Sequence, residues 1–169
     1  GSAIGCTNYG AGLLPDSLSD DAPAAVCAAR IFERTCAAGE RLWGCGMWGF
    51  VLVRGHGVQP DPAQALTVLE RACAETEYFA CDVLGLAHRQ GLFGPPSMDA
   101  ARQAYARGCR GGYESSCEPE RGAIFKPSVM RAAPCSPTRR PHTSWASAKL
   151  TWVQKTCSRC ARVVSSSPT

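Results

Sequence analysis

Eleven cysteines in 169 residues set the first question. Thiols at that density staple a fold, bind a metal or exchange electrons, and their spacing decides between these. Cys157-Ser158-Arg159-Cys160 is a CxxC without a second pair at zinc spacing; no His lies close enough in sequence to complete a four-ligand set, and His142 is distant. A thioredoxin-like βαβ context is also missing, so the expectation there is an incidental disulfide or free thiols. Six other cysteines are ordered. Cys73 and Cys81 are separated by seven residues, as are Cys109 and Cys117, and Cys36 and Cys45 by eight. The first members step by 37 and then 36, the second members by 36 twice. A step of this size signals repeat architecture.

No other constellation points to chemistry. Gly44-Cys45-Gly46-Met47-Trp48-Gly49 matches GxGxxG, but a dinucleotide loop needs a strand before it and a helix opening after it. Here the glycines fall inside a repeat helix, and the match is read as accidental. His88 stands at a helix position equivalent to Leu52 and is assigned to packing; His56 follows Gly55, and His142 is in the tail. GxSxG and HExxH do not occur, and no Ser stands three residues before a Lys. The expectation is therefore no catalytic residue, no metal and no cofactor.

The elements that hold the cysteines follow from the same register. Gly comes four residues after the second cysteine (Cys6/Gly10, Cys45/Gly49, Cys81/Gly85). A large apolar residue comes four before the first (Phe32, Leu69, Tyr105), and Ala eight before it (Ala28, Ala65, Ala101). Steps of four make one helix face, alternating small and large. Helices are expected at 22–36, 61–73 and 98–109, opened by Asp21, Asp61 and Asp99 with Pro23 and Pro62 in first turns. A second set is expected at 43–54 and 79–90, ended by Gly55 and Gly91. Each ordered cysteine pair then joins the end of one helix to the start of the next. Bridges Cys36–Cys45, Cys73–Cys81 and Cys109–Cys117 are the preferred reading, with buried free thiols the alternative. Closing a loop of about nine residues stabilises by roughly 2.6 kcal/mol in the chain-entropy model.

This register resembles the cysteine-rich subclass of Sel-one-like repeats, relatives of the tetratricopeptide repeat. Cys81-Asp-Val-Leu-Gly-Leu-Ala and Ala104-Tyr105-Ala-Arg-Gly-Cys109-Arg-Gly-Gly-Tyr-Glu-Ser-Ser-Cys117 carry it best, and it covers residues 6–117. The resemblance implies an all-α fold, a right-handed αα-superhelix of helix-turn-helix repeats of about 36 residues, stapled once per repeat. It also implies a non-catalytic protein–protein interaction or assembly scaffold. Family members include secreted bacterial proteins, which suggests a secreted or periplasmic location, and a mitochondrial intermembrane-space factor supplies the alternative. Some bacterial members are described as penicillin-binding or β-lactamase-like, so a weak hydrolase is the second reading.

The register fails at both ends. The partner of Cys6 would lie before residue 1, so the array is expected to begin upstream. Cys27 has no counterpart, and a small buried thiol or a bond to Cys6 are both open. After Cys117 the expected Gly becomes Arg121, and Pro119 removes a backbone donor from what should be a helix. Residues 1–117, the expected solenoid, carry nine Arg against twelve Asp and Glu, net −3; residues 118–169 carry nine Lys and Arg against two Glu, net +7. The second part, rich in Pro, Ser and Arg, reads as an irregular basic tail, native or from a shifted frame, and disorder is expected there. Ala146, Leu150, Val153, Cys157, Cys160 and Val164 step by three and four within it, a pattern that a basic amphipathic helix would also give. The pairing of Cys6, Cys27, Cys135, Cys157 and Cys160 stays open. The negative balance of the repeat region argues against nucleic acid, and no apolar run is long enough to span a bilayer. A monomer with a protein or peptide partner is expected. Phe50 and Arg54, with their equivalents Leu86 and Gln90, are placed opposite the packed face of Cys45, Trp48, Gly49 and Leu52, and form the candidate binding surface.

Overall fold

Start and stop signals divide the described residues into short helices. The computed structural model describes residues 2–14, 23–40, 43–118, Cys157 and Cys160. Through the described residues run α1 (Ala3–Gly12), α2 (Pro23–Ala37), α3 (Gly44–Arg54), α4 (Pro62–Ala74), α5 (Tyr78–Gln90), α6 (Met98–Arg110) and α7 (Glu114–Cys117), with no strand among them. Asp61 caps α4, its carboxylate accepting from Gln64 N at 2.9 Å with Pro62 just inside the helix. On α6 the cap is Ser97, which accepts from Ala100 N at 3.3 Å; Asp99 takes the first-turn place instead. Asp21 lies outside the described residues. Gly55 and Gly91 end α3 and α5 in the left-handed conformation, φ 77° and 70°.

The even helices end in one shared turn. Glu40 N, Glu77 N and Tyr113 N donate to the carbonyls of Thr35, Ala72 and Gly108, five residues back, at 3.0, 2.9 and 3.0 Å. The residue before each is left-handed: Gly39 at φ 74°, Thr76 at 75° and Gly112 at 89°. This is a Schellman closure, which satisfies the last carbonyls and reverses the chain within about three residues. The reversal brings the paired sulfurs together, with Cα–Cα distances of 4.4 Å for Cys36–Cys45 and 4.7 Å for both Cys73–Cys81 and Cys109–Cys117. Thr76 is the one β-branched residue at this turn position, and a left-handed L-residue costs about 1–2 kcal/mol. Its side chain is exposed, so little packing is lost on removal. Thr76→Gly should therefore raise stability by about 0.5–1 kcal/mol after the larger unfolded-state entropy of glycine is subtracted. A urea midpoint that falls in Thr76→Gly would refute the strain.

Two of the sequence regularities are the two sides of one contact. A Cβ on Gly10 would stand 2.9 Å from the ring of Phe32, and one on Gly85 would stand 2.7 Å from the ring of Tyr105. On Gly49 it would overlap the Leu69 side chain. The small residue of each odd helix thus receives the large residue of the next even helix, and all three large residues are buried. Each helix packs on the next in sequence, and α1 on α3, α3 on α5, α5 on α7 and α4 on α6 add contacts across one position. No pair further apart among the described helices is in extensive contact. Stability is therefore largely a matter of neighbours.

The cysteines outside the register are the exception. Cys160 is bonded to Cys6 on α1, and Cys157 to Cys27 on α2. Cys27 is accordingly neither a buried thiol nor the partner of Cys6, while both cysteines of the CxxC are in disulfides, one of the two readings left open for them, with distant partners. Those partners could not be read from the spacing, because a period of about 36 residues says nothing about cysteines 154 and 130 positions away. Cys157 and Cys160 are helical, and their two bonds join these two residues to α1 and α2. Cys135 and most of the stepped pattern from Ala146 to Val164 lie outside the described residues. No helix among the described residues is long and apolar enough to cross a membrane.

Candidate binding site

Arg54 and Gln90 occupy equivalent C-terminal positions on α3 and α5. Both are exposed, and Arg54 Nη2 donates to Gln90 Oε1 at 3.0 Å, joining side chains 36 positions apart. Phe50, one turn earlier on α3, is half-buried, with its ring centroid 5.7 Å from the His56 imidazole. Arg54 also lines an open cavity of about 410 Å³ with Val26, Gly55, Gly57, Val58, Gln59 and Pro60. Its floor is set by Gly57, whose missing side chain lets the backbone lie against the backbone of Ala25 and Val26. Leu86 does not belong to this surface. It is buried at 9 % exposure, so the outer face predicted for it is corrected. Helical register gives a side chain's direction, not how far neighbouring chain rises around it. What remains is a rim of Phe50, Arg54 and Gln90 beside the cavity.

A second constellation lies inside, and the sequence reading missed it. The Schellman turns aim the residue four positions after each first cysteine back toward the preceding odd helix. Glu77, only 3 % exposed, there accepts from Cys45 N at 3.3 Å and from Gly46 N, both in the first turn of α3. Its carboxylate caps that helix end, where the backbone dipole favours negative charge. The GxGxxG glycines thus do open a helix toward an anion, but the anion is the chain's own. Glu40, one repeat step earlier, is likewise buried and accepts from Thr7 Oγ1 at 3.2 Å. One step later the polar link changes hands, and Ser116 Oγ donates to Asp82 Oδ1 at 2.8 Å. Thr7, Gly46 and Asp82 all directly follow a second cysteine, so one position links each odd helix to the turn or helix that follows it by one step. The sequence signal was available as Glu40 and Glu77 in equal register.

Burial governs the charges here. It pushes the Glu77 carboxyl up to about 7, against the two backbone N–H groups that favour its ionised form, and Glu40 and Glu75 add to the rise. Burial also raises Asp82, opposed by the Ser116 hydroxyl and by Arg89, and pushes Tyr113 up to about 12, with Asp82 contributing. Among the described residues no group of three or more His, Cys, Asp or Glu side chains is arranged to hold a metal ion. His88 packs edge-on against Phe93 with ring centroids 5.1 Å apart. The chain matches no family model, no curated protein and no solved structure.

Proposed function

We propose that the chain is a non-catalytic interaction or assembly scaffold. In this reading it is an αα-superhelix of helix-turn-helix repeats, of the cysteine-rich Sel-one-like kind, acting as a monomer in a secreted or periplasmic setting. The observation that carries it is the Arg54–Gln90 pair, which joins equivalent exposed positions on successive odd helices beside an open cavity. A surface that repeats with the array is what a solenoid offers to an extended peptide or protein segment. Arg54 keeps guanidinium donors beyond the one given to Gln90, and the half-buried Phe50 ring adds apolar area. Local disulfides at each even-to-odd turn favour an oxidising compartment.

Arg54→Ala should weaken partner capture from a native extract under non-reducing conditions roughly tenfold, the scale of a centrally placed arginine. The melting midpoint should stay within about 0.5 kcal/mol of stability, as exposed positions do. Equal capture by wild type and Arg54→Ala would move the binding surface elsewhere.

A further inference from the structure

Cys157 and Cys160 are three positions apart, both helical, and each is bonded to a different helix. The four cysteines differ in access: Cys6, Cys27 and Cys160 are buried, while Cys157 is half-buried. CxxC is a spacing at which two cysteines can also bond to each other, as in disulfide oxidoreductases. The pair therefore has two ways of being oxidised, one holding α1 and α2 and one holding neither.

We propose that this four-cysteine cluster is a reaction site for a dithiol reductant, and that one equivalent opens both bonds. A thiolate of the dithiol attacks Cys157 Sγ, the accessible sulfur, and expels the Cys27 thiolate. The reductant's second thiolate attacks its own bonded sulfur, closes the reductant's disulfide and expels the Cys157 thiolate. That thiolate attacks Cys160 Sγ, forms the Cys157–Cys160 bond and expels the Cys6 thiolate, with no further electrons required. The protein goes from two disulfides to one disulfide and two thiols. It takes up two electrons and two protons, and the dithiol supplies both. Cys157 and Cys160 are then no longer bonded to α1 and α2, and Cys6 and Cys27 are left there as thiols. The three staples across the Schellman turns have no such internal acceptor.

The test uses the full oxidised chain carrying Cys135→Ser, which removes the one cysteine outside these five bonds. The protein is treated with one molar equivalent of dithiothreitol, quenched in acid, alkylated and mapped. Trypsin cuts after Arg159, so the new bond appears as two linked peptides. The expected result is a Cys157–Cys160 link, alkylated Cys6 and Cys27 in about equal yield, and three intact staples. Three outcomes overturn the proposal: Cys157 and Cys160 alkylated without ever linking, a staple opening first, or an untreated protein that lacks the Cys6–Cys160 and Cys27–Cys157 links.

Discussion

Replacing Cys157 and Cys160 together with Ser should lower the unfolding free energy by about 5 kcal/mol, more than opening any one local staple. Cys6 and Cys160 are 154 positions apart, and the chain-entropy model gives a loop of that length about 5 kcal/mol. The second bond, at a separation of 130, closes almost the same loop and adds less. Replacing Cys73 and Cys81 opens a separation of only 8, worth roughly 2.6 kcal/mol in the same model. Domains of this size have about 5–15 kcal/mol in total, so the first change approaches the whole stability and the second does not. Because most helix contacts are between neighbours, the loss should concentrate in α1 and α2, with amide exchange there rising first. Urea unfolding of the two double variants decides the matter. A Cys73/Cys81 variant less stable than the Cys157/Cys160 variant would reverse the ranking.

The second large effect is a pH dependence carried by Glu77. Its carboxyl is raised from 4.5 to about 7 on folding, so between these values the folded chain holds a proton that the unfolded chain has lost. Stability contributed by this group is therefore full below pH 4.5 and declines as pH rises through about 7, by about 3 kcal/mol at 1.36 kcal/mol per pH unit. Glu77→Gln removes the titration. The amide offers one acceptor to two backbone donors, Cys45 N and Gly46 N, so at low pH the variant lies about 1–3 kcal/mol below the wild type, and its own stability carries no Glu77 titration. Unfolding free energies measured from pH 4 to 8 should converge between wild type and Glu77→Gln as pH rises. Parallel curves for the two proteins would mean that Glu77 is ionised throughout.

The even-to-odd turns were legible because everything that makes them is local. A first cysteine and a second one eight or nine positions later fall within one short stretch, and the stretch recurs; the left-handed residue between them was not read, because Thr76 stands where Gly39 and Gly112 stand in the other turns. The Gly–large contacts were half legible: Gly49 and Leu69 each stood out in register, but only the packed helices reveal that they meet. Glu77 escaped because a buried carboxylate reads as a surface residue until the helix end it caps has a position. Cys157 and Cys160 escaped because a lone CxxC has no periodic counterpart. Leu86 was misplaced by analogy with Phe50, since identical register does not bring identical neighbours.

The two kinds of disulfide also differ in when they can form. Each local staple is complete within ten residues of chain, so it can close as soon as its own turn meets an oxidising environment. Cys6 must wait for residue 160 and Cys27 for residue 157. At about 5–20 residues per second that interval is roughly 7–30 s. Throughout it, two thiols are exposed to a stream of newly arriving cysteines at Cys36, Cys45, Cys73 and beyond, any of which can capture them. Of the described helices, α1 waits longest for its disulfide partner.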